Sequence, residues 1–298
     1  MSRRTRAYLF ILAATAIWGV AVVVIKFTLG GISPIDFLVY RFTISGLLSG
    51  LFLIASHKHI RKPAWTVPRA ALHGILAFPI ALTALFIGLD SSTALELSLI
   101  STLGPLMVLI GGALFFKEHV TKHEKLGAAV AFSGTLITVL SPILYGSEGR
   151  LTGNLLIFAF LFLDTSQVLV AKRLLRSKVH PFVLANIGLL ASGLLYLGAY
   201  SALFGFGTFL DVLVALEPQY HFGVWYMAIF AGVLANIFFL RGARTIEIGE
   251  VGLFAYLGPL FSVPLAVLWL GEQVTLPFVL GAAIITAGVF IAEKRRSR

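Results

Sequence analysis

Asp164 is the residue of this sequence most able to do chemistry. It follows Leu161-Phe162-Leu163, and only Thr165, Ser166 and Gln167 separate it from Val168-Leu169-Val170. A polar group in such surroundings costs several kcal/mol unless something meets it, so an acid there marks a functional site by default. A carboxylate suits a substrate ammonium group or a coupling proton. Gln167, three residues on, shares its helix face and could complete the site. Arg41 offers the alternative, a fixed ion pair. Counted from apolar segments starting near 153 and 34, Asp164 lies ~16 Å along its helix and Arg41 ~10 Å along another, compatible depths.

Other polar residues in apolar surroundings are Trp18, Thr83, Ser98, Ser101, Asn236 and Tyr256. Each is a candidate to line a substrate cavity, or to hydrogen-bond between helices. Glu96 and Glu250 stand at the starts of two apolar segments, where the helix dipole favours a carboxylate. They read as helix-start charges or as a pair of gates. Glu118 and Glu272 follow the same two segments and read as loop and capping residues. Pro105 and Pro259 fall inside those segments, where proline removes a donor and kinks the helix. They read as hinges or as static kinks.

Enzyme chemistry has little to work with. Cysteine is absent, which excludes disulfides, zinc thiolates and cysteine nucleophiles. No HExxH metal motif and no Walker A loop occurs. No catalytic residue, metal or cofactor is expected.

The elements that position these residues follow from composition. The 298 residues are 58% hydrophobic and 12% charged, with mean hydropathy +0.96. A soluble domain carries about 25% charge, so the solvent for much of this chain is lipid. Apolar runs of about 20 residues, long enough to span a bilayer, fall at 7–27, 34–55, 70–89, 96–116, 126–146, 153–172, 181–204, 221–241, 250–271 and 274–292. Gly205 and Gly207 read as an external loop before Asp211. The predicted architecture is all-α, with ten transmembrane helices. The basic start and apolar run also resemble a signal peptide, but this run has a counterpart later in the chain.

With a cytoplasmic N-terminus, inside segments hold twenty of the 23 Lys and Arg, and external loops hold only Arg150. That alternation predicts both termini cytoplasmic in a plasma (inner) membrane. The net charge of +10 therefore points to the membrane face and not to nucleic acid.

A repeat runs through the chain at a spacing of 154. Glu96, Leu103-Gly104-Pro105-Leu106, Glu118, Val120-Thr121, Gly127-Ala128-Ala129 and Gly134 recur as Glu250, Leu257-Gly258-Pro259-Leu260, Glu272, Val274-Thr275, Gly281-Ala282-Ala283 and Gly288. Nearer the start the offset shortens, and Ser33-Pro34 aligns with His180-Pro181. Five spans per unit force the copies, 1–147 and 148–298, into opposite orientations. Inverted repeats commonly enclose a site near the midplane where the halves meet.

These patterns, with Trp18-Gly19 in the first span, resemble the EamA-type family of the drug/metabolite transporter superfamily over nearly the whole chain. The resemblance implies transport of amino acids or other small metabolites, typically export driven by ion gradients. It also implies a central cavity lined by spans 1, 3, 4, 6, 8 and 9. The second repeat departs from the first by placing Asp164-Thr165 where Trp18-Gly19 would recur. The expected partners are a small-molecule substrate, membrane lipid and a coupling proton, with no nucleic acid, for a chain acting as a monomer. Asp164 and the deep aromatic residues suit a zwitterionic amino acid, including an aromatic one, or an organic cation. A receptor or structural protein is the competing class, but the loops are too short for a signalling domain.

Overall fold

The computed structural model describes residues 3–56, 66–117, 120–177, 179–243, 245 and 254–293. The regular structure among the described residues is helical throughout. In chain order it comprises α1 (Arg3–Thr28), α2 (Pro34–Ser56), α3 (Thr66–Ser91), α4 (Ala94–Phe116), α5 (Lys122–Leu140, prolonged by a 3₁₀ turn Ser141–Tyr145), α6 (Glu148–Arg176), α7 (Pro181–Phe204), α8 (Phe206–Ala215), α9 (218–243), α10 (Gly258–Leu270) and α11 (Leu276–Glu293). Eight of these, α1 to α7 and α9, are long and apolar enough to cross a membrane, whereas α8, α10 and α11 are shorter apolar helices. The chain is a multi-pass membrane protein. Its outward side chains agree: Leu114, Phe115, Leu203, Val214 and Leu268 are all exposed, a surface that water would not tolerate and lipid does.

Local sequence explains where the helices start and bend. Ser33 accepts from Asp36 N, at 3.2 Å, and Pro34 opens α2. Thr121 and Glu124 form a reciprocal capping box on α5. Gly205, at φ 87°, ends α7. The chain then re-enters a helix, α8, where the glycines suggested an external loop. Gly205 supplies the break through its positive φ, and Gly207 is taken up into the helix that follows.

Two long helices carry π-helical segments, Leu76–Ile80 in α3 and Tyr226–Leu234 in α9. Pro79 accounts for the first, because it cannot donate to the ladder. The last five residues of the second lie 154 positions after the first. Backbone groups loosened in this way must find partners when lipid surrounds the helix. Tyr196 donates to the Pro79 carbonyl at 3.2 Å and Ser192 to that of Gly74 at 3.1 Å. In α9, Trp18 donates to the Ala231 carbonyl at 3.1 Å and Ser45 to that of Ala228 at 3.4 Å.

The packing joins early helices to late ones. α2 lies along α7, α5 along α11, α6 along α3 and α4, and α1 along α9 and α10. Small residues set the closest approaches. Gly46 faces the Gly193 Cα, and Gly88 and Gly153 face each other's carbonyls. Gly127 and Gly134 of α5 face Gly288 and Gly281 of α11. Phe37, Phe42, Phe86 and Leu89 fill the enclosed centre with zero exposure.

Candidate functional site

Asp164 projects from α6, whose first residue is Glu148. The helix begins earlier than the apolar run suggested, so Asp164 lies ~24 Å along it, well beyond the depth of Arg41. The Arg41–Asp164 ion pair is accordingly absent. Asp164 Oδ1 accepts from Gln167 Nε2 at 2.9 Å, which brings those two residues together as their spacing implied. The Gln167 carbonyl lies 3.2 Å from His73 Nε2, which must donate. His73 Nδ1 is buried without a partner. His73, Ser166 and Gln167, with Leu76, Ile80 and Val170, line a cleft of about 140 Å³ between α3 and α6. Asp164 and His73, a carboxylate and an imidazole that can each hold a proton, are thus both tied to Gln167, one through its side-chain amide and the other through its backbone carbonyl. His73 is the member that the sequence candidates did not include. Its signal was its position six residues before Pro79, on the helix that proline distorts.

Arg41 is enclosed by aromatic side chains. Its guanidinium carbon stands 5.0 Å from the Phe42 ring centre and 5.8 Å from that of Phe86. Phe42 stacks on Tyr196, and the Tyr196 hydroxyl lies 2.7 Å from Thr83 Oγ1. Thr83 is therefore tied to α7, an arrangement its sequence context could not reveal. Ten residues separate Thr83 from His73 on α3, ~15 Å of rise, so the Arg41 and Asp164 neighbourhoods occupy different depths.

A third group gathers where α1 meets α9. Trp18, besides its bond to Ala231, packs on Phe239. Tyr226 donates to the Ile17 carbonyl at 2.8 Å. Asn236 donates to the Gly232 carbonyl at 2.7 Å and lines a small cleft with Asn186, Phe52 and Leu189. Asn186 was missed because one amide in a thirty-residue uncharged run carries no pattern. Ser98 is buried and bonds the Ala94 carbonyl at 2.6 Å. Ser101 ends the first part of α4, and Tyr256 lies in the turn before α10. Asp164 with Gln167, Thr83 near Arg41, and Trp18 and Asn236 thus mark three neighbourhoods.

The proline positions coincide with breaks. α4 is interrupted at Thr102-Leu103, and a new helical stretch starts at Gly104-Pro105. α10 starts at Gly258-Pro259 after a turn at Tyr256-Leu257. Both stretches end in a left-handed residue, Lys117 (φ 55°) and Gly271 (φ 67°), whose N–H returns to Gly112 O and Ala266 O. Every one of these features recurs at the same spacing of 154.

Charged residues collect at one end of the bundle. Arg150 donates to Glu96 Oε1 at 2.8 Å. Glu96 Oε2 accepts from Ser92 and Thr93, and Ser92 also meets Asn154. Lys26 donates to the Leu89 and Asp90 carbonyls at 2.9 and 2.8 Å. Glu272 accepts from the backbone N–H groups of Ala94 and Leu95 at 2.7 and 2.8 Å. Burial pushes the Glu272 carboxyl above its ordinary value, against the pull of those two donors. Glu272 is therefore a capping residue, but for α4 and not for the helix that follows it. Together these contacts bind the ends of α1, α3, α4 and α6 to the α10–α11 loop. Glu96 works as a helix-start charge within this cluster. Glu250 and Glu118 lie outside the described residues.

Comparison with known proteins places this geometry. An archaeal relative, an uncharacterized transporter of Archaeoglobus fulgidus, is 25% identical over 94% of this chain and 95% of its own. The uncharacterized transporter YetK of Bacillus subtilis is 24% identical over 100% of this chain and 90% of its own. A solved crystal structure shares the fold, with a TM-score of 0.68 at 19% identity, covering 98% of this chain and 99% of that one. The model of the EamA-like transporter family matches residues 5–140 and 151–293. Spanning helices, proline-broken α4 and α10, and a family match over nearly the whole length lead to one conclusion: the chain belongs to the EamA-like transporter family.

Proposed function

We propose that the protein is a secondary active transporter that exports amino acids, apolar or aromatic ones included, across the plasma (inner) membrane. It works by alternating access between two inverted five-helix repeats, 1–147 and 148–298, with both termini cytoplasmic. The ten spans are the eight long helices plus the two that contain α10 and α11. One observation supports this reading: the principal helix pairs are kept when the two halves are exchanged. α2 on α7 and α5 on α11 pair equivalent helices, while α1 on α9 and α10 mirrors α6 on α3 and α4. The π segments and the Gly-Pro breaks obey the same exchange, which is the layout expected of two halves that rock against each other. The charged cluster at the end holding Arg150 belongs, in this topology, to the external face. It closes that side.

Asp164 and Gln167 are the coupling site of this mechanism, with a proton moving against the amino acid. In vesicles holding purified protein, a pH gradient should drive amino-acid flux. Asp164→Asn should cut the gradient-driven part at least tenfold. Wild-type rate and pH dependence in that variant would end the coupling assignment. Pro105 and Pro259 are the hinges. Pro105→Ala and Pro259→Ala should lower turnover several-fold while surface expression, read by immunoblot of labelled cells, holds. Matched losses of both quantities would count against hinges.

A further inference from the structure

We propose that Arg41 is the residue that holds the anionic group of the transported solute, a carboxylate, while Asp164 serves the proton. This rests on the transport reading above and adds to it a substrate class and a place.

Arg41 is 7% exposed. Its Nε and Nη1 are buried without a hydrogen-bond partner. No carboxylate of the described residues makes an ion pair with it, and Asp36, the acid on its own helix, is engaged by Ser33 and Tyr200. The rings of Phe42 and Phe86 attract the guanidinium. They give its in-plane N–H groups nothing to donate to. A purely structural arginine at this depth would be expected to have an acid beside it, because an unpaired buried charge is among the costliest features a fold can carry. A guanidinium left with free donors is matched to a planar anion, which it grips through two parallel hydrogen bonds.

The surroundings narrow the ligand. The side chains around the guanidinium, Phe42 and Phe86 with Tyr196 stacked on Phe42, suit an apolar or aromatic body attached to the carboxylate. Phosphate is a poorer fit, since only one cation is present to meet its charge. Depth decides how the two handles are used. Asp164 lies ~14 Å further along the bundle than Arg41, from ~24 Å against ~10 Å of helix rise. One small amino acid cannot span both, so the carboxylate and the proton are taken up at separate places.

The neighbourhood also supplies a route from binding to movement. Arg41 is on α2, Phe86 and Thr83 on α3, and Tyr196 on α7, so both halves of the chain meet there. The Tyr196 hydroxyl touches Thr83 and the carbonyl of Pro79, inside the π segment of α3. A carboxylate seated on Arg41 therefore lies beside the ring whose hydroxyl fastens that segment.

The test uses the full-length protein in vesicles loaded with labelled L-phenylalanine, challenged from outside by unlabelled L-phenylalanine, 3-phenylpropionate or L-phenylalaninamide. In the wild type the two carboxylates should exchange or compete, and the amide should be at least tenfold weaker. Arg41→Gln should lower phenylalanine flux at least tenfold, and Arg41→Lys should restore part of it. Competition by the amide as strong as by the acid overturns the assignment, and the wild type alone can give that answer should Arg41→Gln not fold. A wild type that moves the amide but neither carboxylate overturns the role of Arg41 and leaves transport standing. Vesicles that move none of the three overturn both.

Discussion

Gly288→Ala is expected to destabilise the protein by about 1–3 kcal/mol, the usual range for forcing a methyl group into a filled interface. A Cβ at Gly288 would overlap Ala131 N and stand 2.6 Å from Gly127 O. Both are backbone atoms of the facing helix, so no side chain can turn aside and α5 must move off α11. The seam repeats itself: Gly127 meets Gly288, and Gly134 meets Gly281. Small residues at such crossings let helices associate in lipid, where apolar surface alone gives no drive. Gly149→Ala is the control, because nothing lies within 4 Å of that position. It should be neutral or gain up to about 1 kcal/mol from helix propensity. Denaturant titration of both variants in detergent checks the pair. Equal midpoints would show that the seam does not hold the halves together.

Glu272→Ala is the second large effect. It strips two charge-assisted bonds from the start of α4 and leaves the Ala94 and Leu95 N–H groups without acceptors. Unmet buried donors cost about 1–3 kcal/mol each, and partial access to water brings the expected loss to about 2 kcal/mol. The pH dependence has a definite sign. The carboxyl is raised in the folded protein, so the folded state binds the proton more tightly than the unfolded one. Stability from this group therefore rises as pH falls through the folded value towards the ordinary 4.5. Glu272→Gln should lose that segment of the stability–pH curve and keep one of the two hydrogen bonds. A wild-type midpoint that falls over the same window, with no change in the Gln variant, would contradict the assignment. Because the same contacts tie the α10–α11 loop to α4, Glu272→Ala should also shift the transporter towards an externally open state.

Much of this was legible in the residues. Lipid demands long apolar runs and confines charge to the loops, so the eight long apolar helices were legible among the ten runs expected. Pro105 announced the break in α4, and Pro259 the start of α10. The failures have physical causes. The π segment of α9 has Val233 where the first has Pro79, so no residue type signals it. The Arg41–Asp164 pair rested on where α6 begins, and polar residues such as Thr152 and Asn154 hid its first turns. The contacts of Tyr196 with Thr83 and of Trp18 with Ala231 cross more than a hundred residues of chain, and helical periodicity carries no information about them. Gly205 looked like the start of a loop because a glycine ends a helix equally well whether a loop or another helix follows.

The central claim is that two related halves face opposite ways, and the absence of native cysteine makes it directly measurable. Val120 and Val274 are equivalent positions, 154 residues apart, in the loops before α5 and α11. Single Val120→Cys and Val274→Cys proteins can be treated in intact cells with a membrane-impermeant maleimide. Val274→Cys should react at once, and Val120→Cys only after the membrane is permeabilised. Labelling of both from the same side would contradict the inverted architecture and the transport cycle built on it.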